Sequence, residues 1–317
     1  MKRAVIVGSE GQDGRILFDQ LAGTGAAVLG IGSNRTRSTT PDSPVGIDIT
    51  NRSEVLETVR AWQPDEIYYL AAYHHSSEDK TGDDAELFER SFEVHVCGLI
   101  HFLEAMKQHA PDARLFYAAS SLVFGTPSHS PQNEDTPLAP QCVYGITKVA
   151  GIHSCRFYRE SHDLHVSVGI LYNHESPLRR AGFVSQKIVR AAIAIARGSR
   201  EKLVLGDLSA RVDWGYAPDF TEAMQRIVRL TEPDDYIIAT GEAHSVQEFV
   251  EIAFRKLNLD WREHVSENPG VLTRRAIARI GDATKLRART GWKPRVDFEN
   301  MIGLLIDAAR QTHCNAP

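Results

Sequence analysis

The chain has 317 residues, a net charge of −5, 42% hydrophobic residues and 24% charged residues. That length suggests two domains, or one large domain with an appendage, and it is enough to bury a sizeable core. No basic run points to nucleic acid or an anionic membrane surface as the main partner, and no apolar run approaches the roughly 20 residues of a membrane span.

Met1-Lys2-Arg3 leads straight into a short strand-like run, which does not read as a signal peptide, so a cytoplasmic location is expected. The cysteines Cys97, Cys142, Cys155 and Cys314 show no Cys-x-x-Cys spacing and read as reduced, mostly buried thiols. Arg3-Ala4-Val5-Ile6-Val7 reads as a buried strand. It runs into Gly8-Ser9-Glu10-Gly11-Gln12-Asp13-Gly14, and Arg15 to Leu21 then has helical spacing. In that context Gly8 permits a tight turn, Gly11 lets backbone N–H groups approach a pyrophosphate, and Gly14 lets the helix pack on the strand. A glycine-rich turn without a ligand is the plain alternative.

Ala27 to Ile31 reads as a second strand. An NAD site usually places Asp or Glu at this strand's end, for the ribose 2′-hydroxyl. Here Gly32-Ser33-Asn34-Arg35-Thr36-Arg37 follows, without a carboxylate. The donors of Ser33, Asn34 and Arg35 suit a 2′-phosphate, so NADP is expected over NAD, although Arg35 and Arg37 also fit a solvated loop. Val45 to Asp48 looks like a third strand, with Asp48 placed at an adenine edge. A helix runs from Ser53, as N-cap, to Trp62.

Glu66 to Leu70 is the next strand, and the small residues after Leu70, Ala71 and Ala72, allow a cofactor close approach. His74 and His75 follow; neighbours on extended chain point to opposite sides, so no metal site is expected. Phe88 to Gln108 reads as a long helix and Arg114 to Ala118 as a fifth strand, with Ser120 and Ser121 just past its end. Strands and helices alternating in this way imply an α/β fold: a Rossmann-type, doubly wound parallel sheet that binds its ligand beyond the strands' carboxyl ends.

Tyr144 and Lys148 sit four apart at the start of an amphipathic run, on one face of a helix. A cation held beside a phenol favours the phenolate, which makes Tyr144 a proton donor and acceptor for an alcohol. With Ser120 to orient the substrate oxygen, and Ser121 beside it, this completes a Ser-Tyr-Lys set for hydride transfer with a nicotinamide.

Gly8 to Gly14, Leu70-Ala71-Ala72, Ser120 and Tyr144-x-x-x-Lys148 together resemble the extended short-chain dehydrogenase/reductase family, which acts on nucleotide sugars. Within it, Gly11-Gln12-Asp13-Gly14, Tyr172-Asn173-His174-Glu175-Ser176-Pro177, Phe183-Val184-x-x-Lys187, Asp213-Trp214-Gly215 and Thr240-Gly241-Glu242-x-His244-Ser245 resemble the GDP-mannose 4,6-dehydratases. The resemblance implies an NADP-binding domain at 1–172, rejoined by about 212–242 with an added strand at Tyr236 to Ala239. A smaller nucleotide-sugar domain would occupy 173–317. It places Gln12 and Asp13 at the cofactor, Asn173 at the diphosphate or sugar, Val184 and Lys187 at the guanine, and Arg211 near the phosphates. It also implies a homodimer or homotetramer paired through helices at 88–108 and 144–162.

Three departures qualify the resemblance. The family glutamate two residues after the catalytic hydroxyl is Leu122, which cannot move a proton. The arginine before Asp-Trp-Gly is Val212, with Arg211 beside it, and a later arginine has no clean counterpart, Arg274 and Arg275 lying two or three positions off. The expected activity is therefore NADP-dependent hydride transfer at C4 of a GDP-hexose without elimination, as in a 4-keto reductase or 4-epimerase. The alternatives are a 4,6-dehydratase with a substitute acid from His75 or a loop glutamate, and a non-catalytic cofactor-binding regulatory protein, against which the intact Ser-Tyr-Lys set stands.

Overall fold

The computed structural model describes residues 1–40, 43–44, 46–73, 83–271 and 278–314. In chain order the strands are β1 (Arg3–Val7), β2 (Ala27–Ile31), β3 (Thr36–Ser38), β4 (Glu66–Tyr69), β5 (Arg114–Ser120), β6 (His165–Leu171), β7 (Asn173–Glu175), β8 (Leu203–Leu205), β9 (Arg211–Tyr216), β10 (Asp235–Ile238), β11 (Ala243–Ser245) and β12 (Val265–Glu267). The helices are α1 (Gln12–Gly23), α2 (Arg52–Trp62), α3 (Asp84–Phe92), α4 (Gly98–His109), α5 (Val143–His162), α6 (Val184–Ala196), α7 (Ala217–Val228), α8 (Val246–Arg255), α9 (Thr284–Thr290) and α10 (Phe298–Cys314).

The main sheet has the order β10-β6-β5-β4-β1-β2-β3, parallel throughout except for β3, which runs antiparallel to β2. Its inner strands are near-continuous apolar runs because both faces are covered. In β1, Val5 and Val7 join a core with α2, α4 and α5, while Ala4 and Ile6 join a second core with α1, α7 and α9. This is the doubly wound arrangement the alternation of elements predicts. A third core gathers Ile188 of α6, Phe249 of α8, Ile302 of α10 and Trp214 of β9. A small sheet, β11-β9-β7, and the pair β12-β8 belong to this part of the chain. Among the described residues no helix is long and apolar enough to cross a membrane.

Several local expectations change. Residues 46–48 form no strand: Gly46 adopts φ +66°, and the partner edge of β2 is taken by Thr36–Ser38. That edge strand is polar and half solvated, so it carries no apolar alternation to be read. Asn51, not Ser53, caps α2, its side-chain oxygen accepting from Ser53 N and Glu54 N at 3.1 and 3.4 Å. The single helix expected at 88–108 begins earlier, at Asp84, and widens into a π-helical segment at Glu93–Cys97 before α4. The hydroxyl of Tyr69 donates to the Val94 carbonyl and that of Tyr117 to the His95 carbonyl, so strand side chains take up carbonyls in the widened turn. Of the thiols, Cys155 is buried but Cys97 is exposed.

Strand β10 is bound to α5 by charge as well as by the sheet. Asp235, 4% exposed, accepts from Arg156 Nε at 2.7 Å and Arg159 Nη2 at 2.9 Å. Removing the carboxylate strands two guanidinium groups, one of them partly solvated. Asp235→Ala should therefore lower the free energy of unfolding by about 3 kcal/mol, the low end for a buried pair. Urea titration checks this; a loss under about 1 kcal/mol would class the bridge with surface pairs.

Candidate active site

The carboxyl ends of the parallel strands open into a cavity of about 1700 Å³. Its wall brings together Gly8, Gly11, Gln12, Asp13 and Gly14 from the first turn, Ser33, Asn34 and Arg35 after β2, and Asp48. Leu70, Ala71 and Ala72 after β4, then Ser120, Ser121, Tyr144 and Lys148, and finally Asn173, Val184 and Arg211 complete it. Lys187, in the same first turn of α6 as Val184, is not among the residues that line it. His75, Arg274 and Arg275 lie outside the described residues. Arg279, which the sequence reading did not single out, lines the cavity instead. Its neighbours are anchored, Ile280 N donating to Gln132 Oε1 at 3.1 Å and Gly281 N to Asp213 Oδ2 at 3.2 Å.

The glycine-rich turn is shaped for close approach. Gly8 has φ +92°, and a β-carbon at Gly14 would lie 2.3 Å from the Gly8 carbonyl oxygen. No side chain caps α1 at Gly11, which leaves the helix N-terminus to an anion. These features fit a dinucleotide. The turn is also latched to β7. His174 Nδ1 lies 2.7 Å from the Tyr172 carbonyl, and Nε2 lies 2.9 Å from Asp13 Oδ2. Both partners accept, so both ring nitrogens donate and the imidazole is the cation. Burial alone would push His174 down, but Asp13 outweighs it and holds the group above its ordinary value. Burial likewise would raise Asp13, and His174 with the Gln12 amide holds it lower than usual. Gln12 donates to the His174 carbonyl at 3.1 Å and accepts from Ser176 Oγ at 2.9 Å.

Helix α5 presses its first turn onto the end of β5. Cys142 caps it, the sulfur accepting from Gly145 N at 3.5 Å. A β-carbon at Gly145 would stand 2.7 Å from the Leu122 carbonyl oxygen, so only glycine allows this backbone contact. Lys148, 1% exposed, donates to the Ala118 carbonyl at 2.8 Å and sits 5.7 Å from the centre of the Tyr144 ring. Ser120 Oγ accepts from Leu122 N at 3.3 Å, which leaves its O–H to donate into the cavity. His95, fully buried in the π-helical segment, stacks edge-on to Tyr144 at 5.1 Å. Its Nε2 accepts from Tyr73 N at 2.9 Å, and its Nδ1 meets Thr147 Oγ1 at 2.7 Å. The backbone donor fixes the neutral ring's proton on Nδ1, facing Thr147 in the first turns of α5. The sequence reading missed His95, because a histidine inside a helical run carries no spacing signal.

Leu122 lines the cavity beside Ser120. The carboxylates that line it, among the described residues, are Glu10, Asp13, Asp48, Glu175, Asp207 and Asp213. Each has structural partners. Asp13 holds His174, Glu175 accepts from Ser185 Oγ at 2.6 Å, and Asp48 closes a turn on Thr50. Asp207 closes another turn on Ser209. Asp213, which burial raises above the usual carboxylate value, accepts from Thr240 Oγ1 at 2.6 Å and Gly241 N at 3.0 Å. Glu10 receives Asn34 and Ser33.

Burial pushes Lys148 down to about 7. Between that value and the ordinary lysine range the unfolded chain binds the extra proton, so this group makes stability rise with pH above about 7. Lys148→Met should flatten that rise when urea midpoints at about pH 6 and about pH 9 are compared with the parent protein. Parallel pH curves for the two proteins would show that the ammonium is not desolvated.

A sequence model of the GDP-mannose 4,6 dehydratase family matches residues 5–305. GDP-mannose 4,6 dehydratase 2 of Arabidopsis thaliana is 35% identical over 327 residues, spanning 96% of this chain and 86% of that protein. Among solved structures, RMD from Pseudomonas aeruginosa complexed with NADPH superimposes with a TM-score of 0.83 at 19% identity, over 98% of this chain and all of that one. dTDP-glucose 4,6-dehydratase from Bacillus anthracis in complex with NAD also gives 0.83, at 18% identity, over 99% of this chain and 98% of that one. At such identities the structural likeness speaks for the fold. The family match and the 35% identical relative go further: the chain belongs to the GDP-mannose 4,6-dehydratase family, nucleotide-sugar enzymes of the short-chain dehydrogenase/reductase type.

Proposed function

We propose that this protein moves a hydride at C4 of a GDP-hexose or related nucleotide sugar without eliminating water, as a 4-keto reductase or 4-epimerase does. The observation that carries this reading is the convergence of Ser120, Tyr144 and Lys148 on one cavity with Leu122 beside them. Residues 1–172, rejoined within 212–242 by α7 and β10 but not by β9, would hold the dinucleotide, and the part of 173–317 built on the third core the nucleotide sugar. A bound nicotinamide takes or gives the hydride. Tyr144 takes the C4 hydroxyl proton as the C–H bond breaks, or returns it in reduction. Ser120 donates to the C4 oxygen, and Lys148 anchors the nicotinamide ribose. Asn173, Arg211 and the cavity-lining Arg279 supply donors for a diphosphate, and Val184 lies at the base. The glycine-rich turn and the cavity support a nicotinamide dinucleotide as cofactor, with Ser33, Asn34 and Arg35 at its adenosine-ribose end.

Family membership favours a second reading, a GDP-mannose 4,6-dehydratase. Loss of water needs a positioned acid/base, worth about 10²–10⁴ in rate. The engagement of each cavity carboxylate among the described residues supports the first reading. Incubation with GDP-mannose separates the two. The parent protein should yield no 4-keto-6-deoxy product by mass spectrometry, and Leu122→Glu should yield it. Product from the parent protein would establish the dehydratase instead.

We further propose a homodimer through α3 and α5. Phe88 and Phe92 on α3 and Ile146 and Phe157 on α5 are exposed, Phe157 by 55%. Large apolar side chains exposed on adjoining helices fit an isologous interface. Phe157→Lys should convert a dimer to a monomer in light scattering; a parent protein that is already monomeric would remove the proposal.

A further inference from the structure

No carboxylate directly follows β2 in the chain, yet the fold brings one there from the glycine-rich turn. Glu10 Oε2 accepts from Asn34 N at 3.1 Å, Asn34 Nδ2 at 3.2 Å and Ser33 Oγ at 3.2 Å. Oε1 faces Arg35 Nε at 3.5 Å. The seat is shaped for this side chain: a β-carbon at Gly32 would lie 2.5 Å from Glu10 Cγ. Gly32 N donates to the Arg35 carbonyl at 3.0 Å, closing residues 32–35 around the carboxylate. The Asn34 backbone hydrogen bond holds Glu10 below the usual carboxylate range, so it is ionised at neutral pH. Glu10, Ser33, Asn34 and Arg35 all line the cavity. The three residues read as a phosphate site are thus already turned onto an anion of this chain's own.

We propose that Glu10 is the residue that sets cofactor preference, opposing a 2′-phosphate and admitting the dinucleotide that lacks one. A ribose 2′-hydroxyl can donate to Oε1, which carries only the long Arg35 pair, as it does to the acidic residue at the end of the second strand in NAD sites. A 2′-phosphate at the same place brings roughly two negative charges against the carboxylate and competes with it for Arg35, Ser33 and Asn34. NADP therefore binds here with Glu10 as an adverse neighbour, and NAD binds with Glu10 as an acceptor. Glu10 acts on selectivity alone; it lies on the ribose side of the turn and touches no group of the Ser-Tyr-Lys set.

Glu10 can play this part only if the cavity takes a nicotinamide dinucleotide, as proposed for it. The test is equilibrium binding of NAD⁺ and of NADP⁺, followed by tryptophan fluorescence or calorimetry, to the parent protein, Glu10→Gln and Glu10→Thr. The parent should bind NAD⁺ at least about as tightly as NADP⁺. Both variants should tighten NADP⁺ about tenfold or more while NAD⁺ is unchanged or weaker, because a single like charge has been removed. Glu10→Thr keeps a hydrogen-bonding group should the amide disturb residues 32–35, and circular dichroism checks both folds. An unchanged ratio in folded variants, or a parent that binds NADP⁺ about a hundredfold more tightly than NAD⁺, would overturn the role of Glu10 and leave the dinucleotide reading standing. Failure of the parent protein to bind either nucleotide would overturn both.

Discussion

The site depends on one backbone contact, the approach of α5 to the turn after β5. Gly145 comes so close to the Leu122 carbonyl that no side chain fits between them. That approach sets Ser120, Leu122 and Tyr144 side by side and carries Lys148 to the Ala118 carbonyl. Burial there is nearly complete, and it is the reason the Lys148 ammonium loses much of its hold on a proton. From the other side, the π-helical segment delivers the His95 imidazole to the Tyr144 ring and to Thr147. The reactive turn is gripped from β5 on one flank and from the widened helix on the other.

The glycine-rich turn does more than shape the cavity wall. Asp13 and Gln12 fasten it to His174 of β7 and to Ser176 just after it, so the segment carrying Asn173 is tied to the glycine-rich turn. Glu10, from the same turn, reaches the loop after β2. One short stretch therefore meets the cavity, the turn at β7 and the loop after β2 together. The buried Asp13–His174 pair holds this arrangement between the lowered pKa of the acid and the raised pKa of the imidazole. Below that window the carboxylate is lost, and above it the cation is lost.

The sequence was informative where a pattern is local. Apolar runs ending in glycine located β1 and β2, and the spacing of Tyr144 and Lys148 placed both on one helical face. It was uninformative where polar chain makes structure. The edge strand Thr36–Ser38 has no apolar alternation, and residues 46–48, which look extended, are not paired. Cap assignment slipped by two residues because Asn51 and Ser53 are both capable caps and only geometry chooses between them.

By itself the sequence determined the fold class, the glycine-rich turn after β1 and the one-turn spacing of Tyr144 and Lys148 on α5, because each is a matter of residue type at a fixed local spacing. Tertiary structure alone decided that Glu10 lies among Ser33, Asn34 and Arg35, that His174 is charged by Asp13, that His95 meets Tyr144, and that Lys187 stands off the cavity while Arg279 lines it. Those partners are separated by tens to more than a hundred positions or sit on unpatterned chain. Their effect on one another is electrostatic or steric, and it exists only once folding has brought them within a few ångströms.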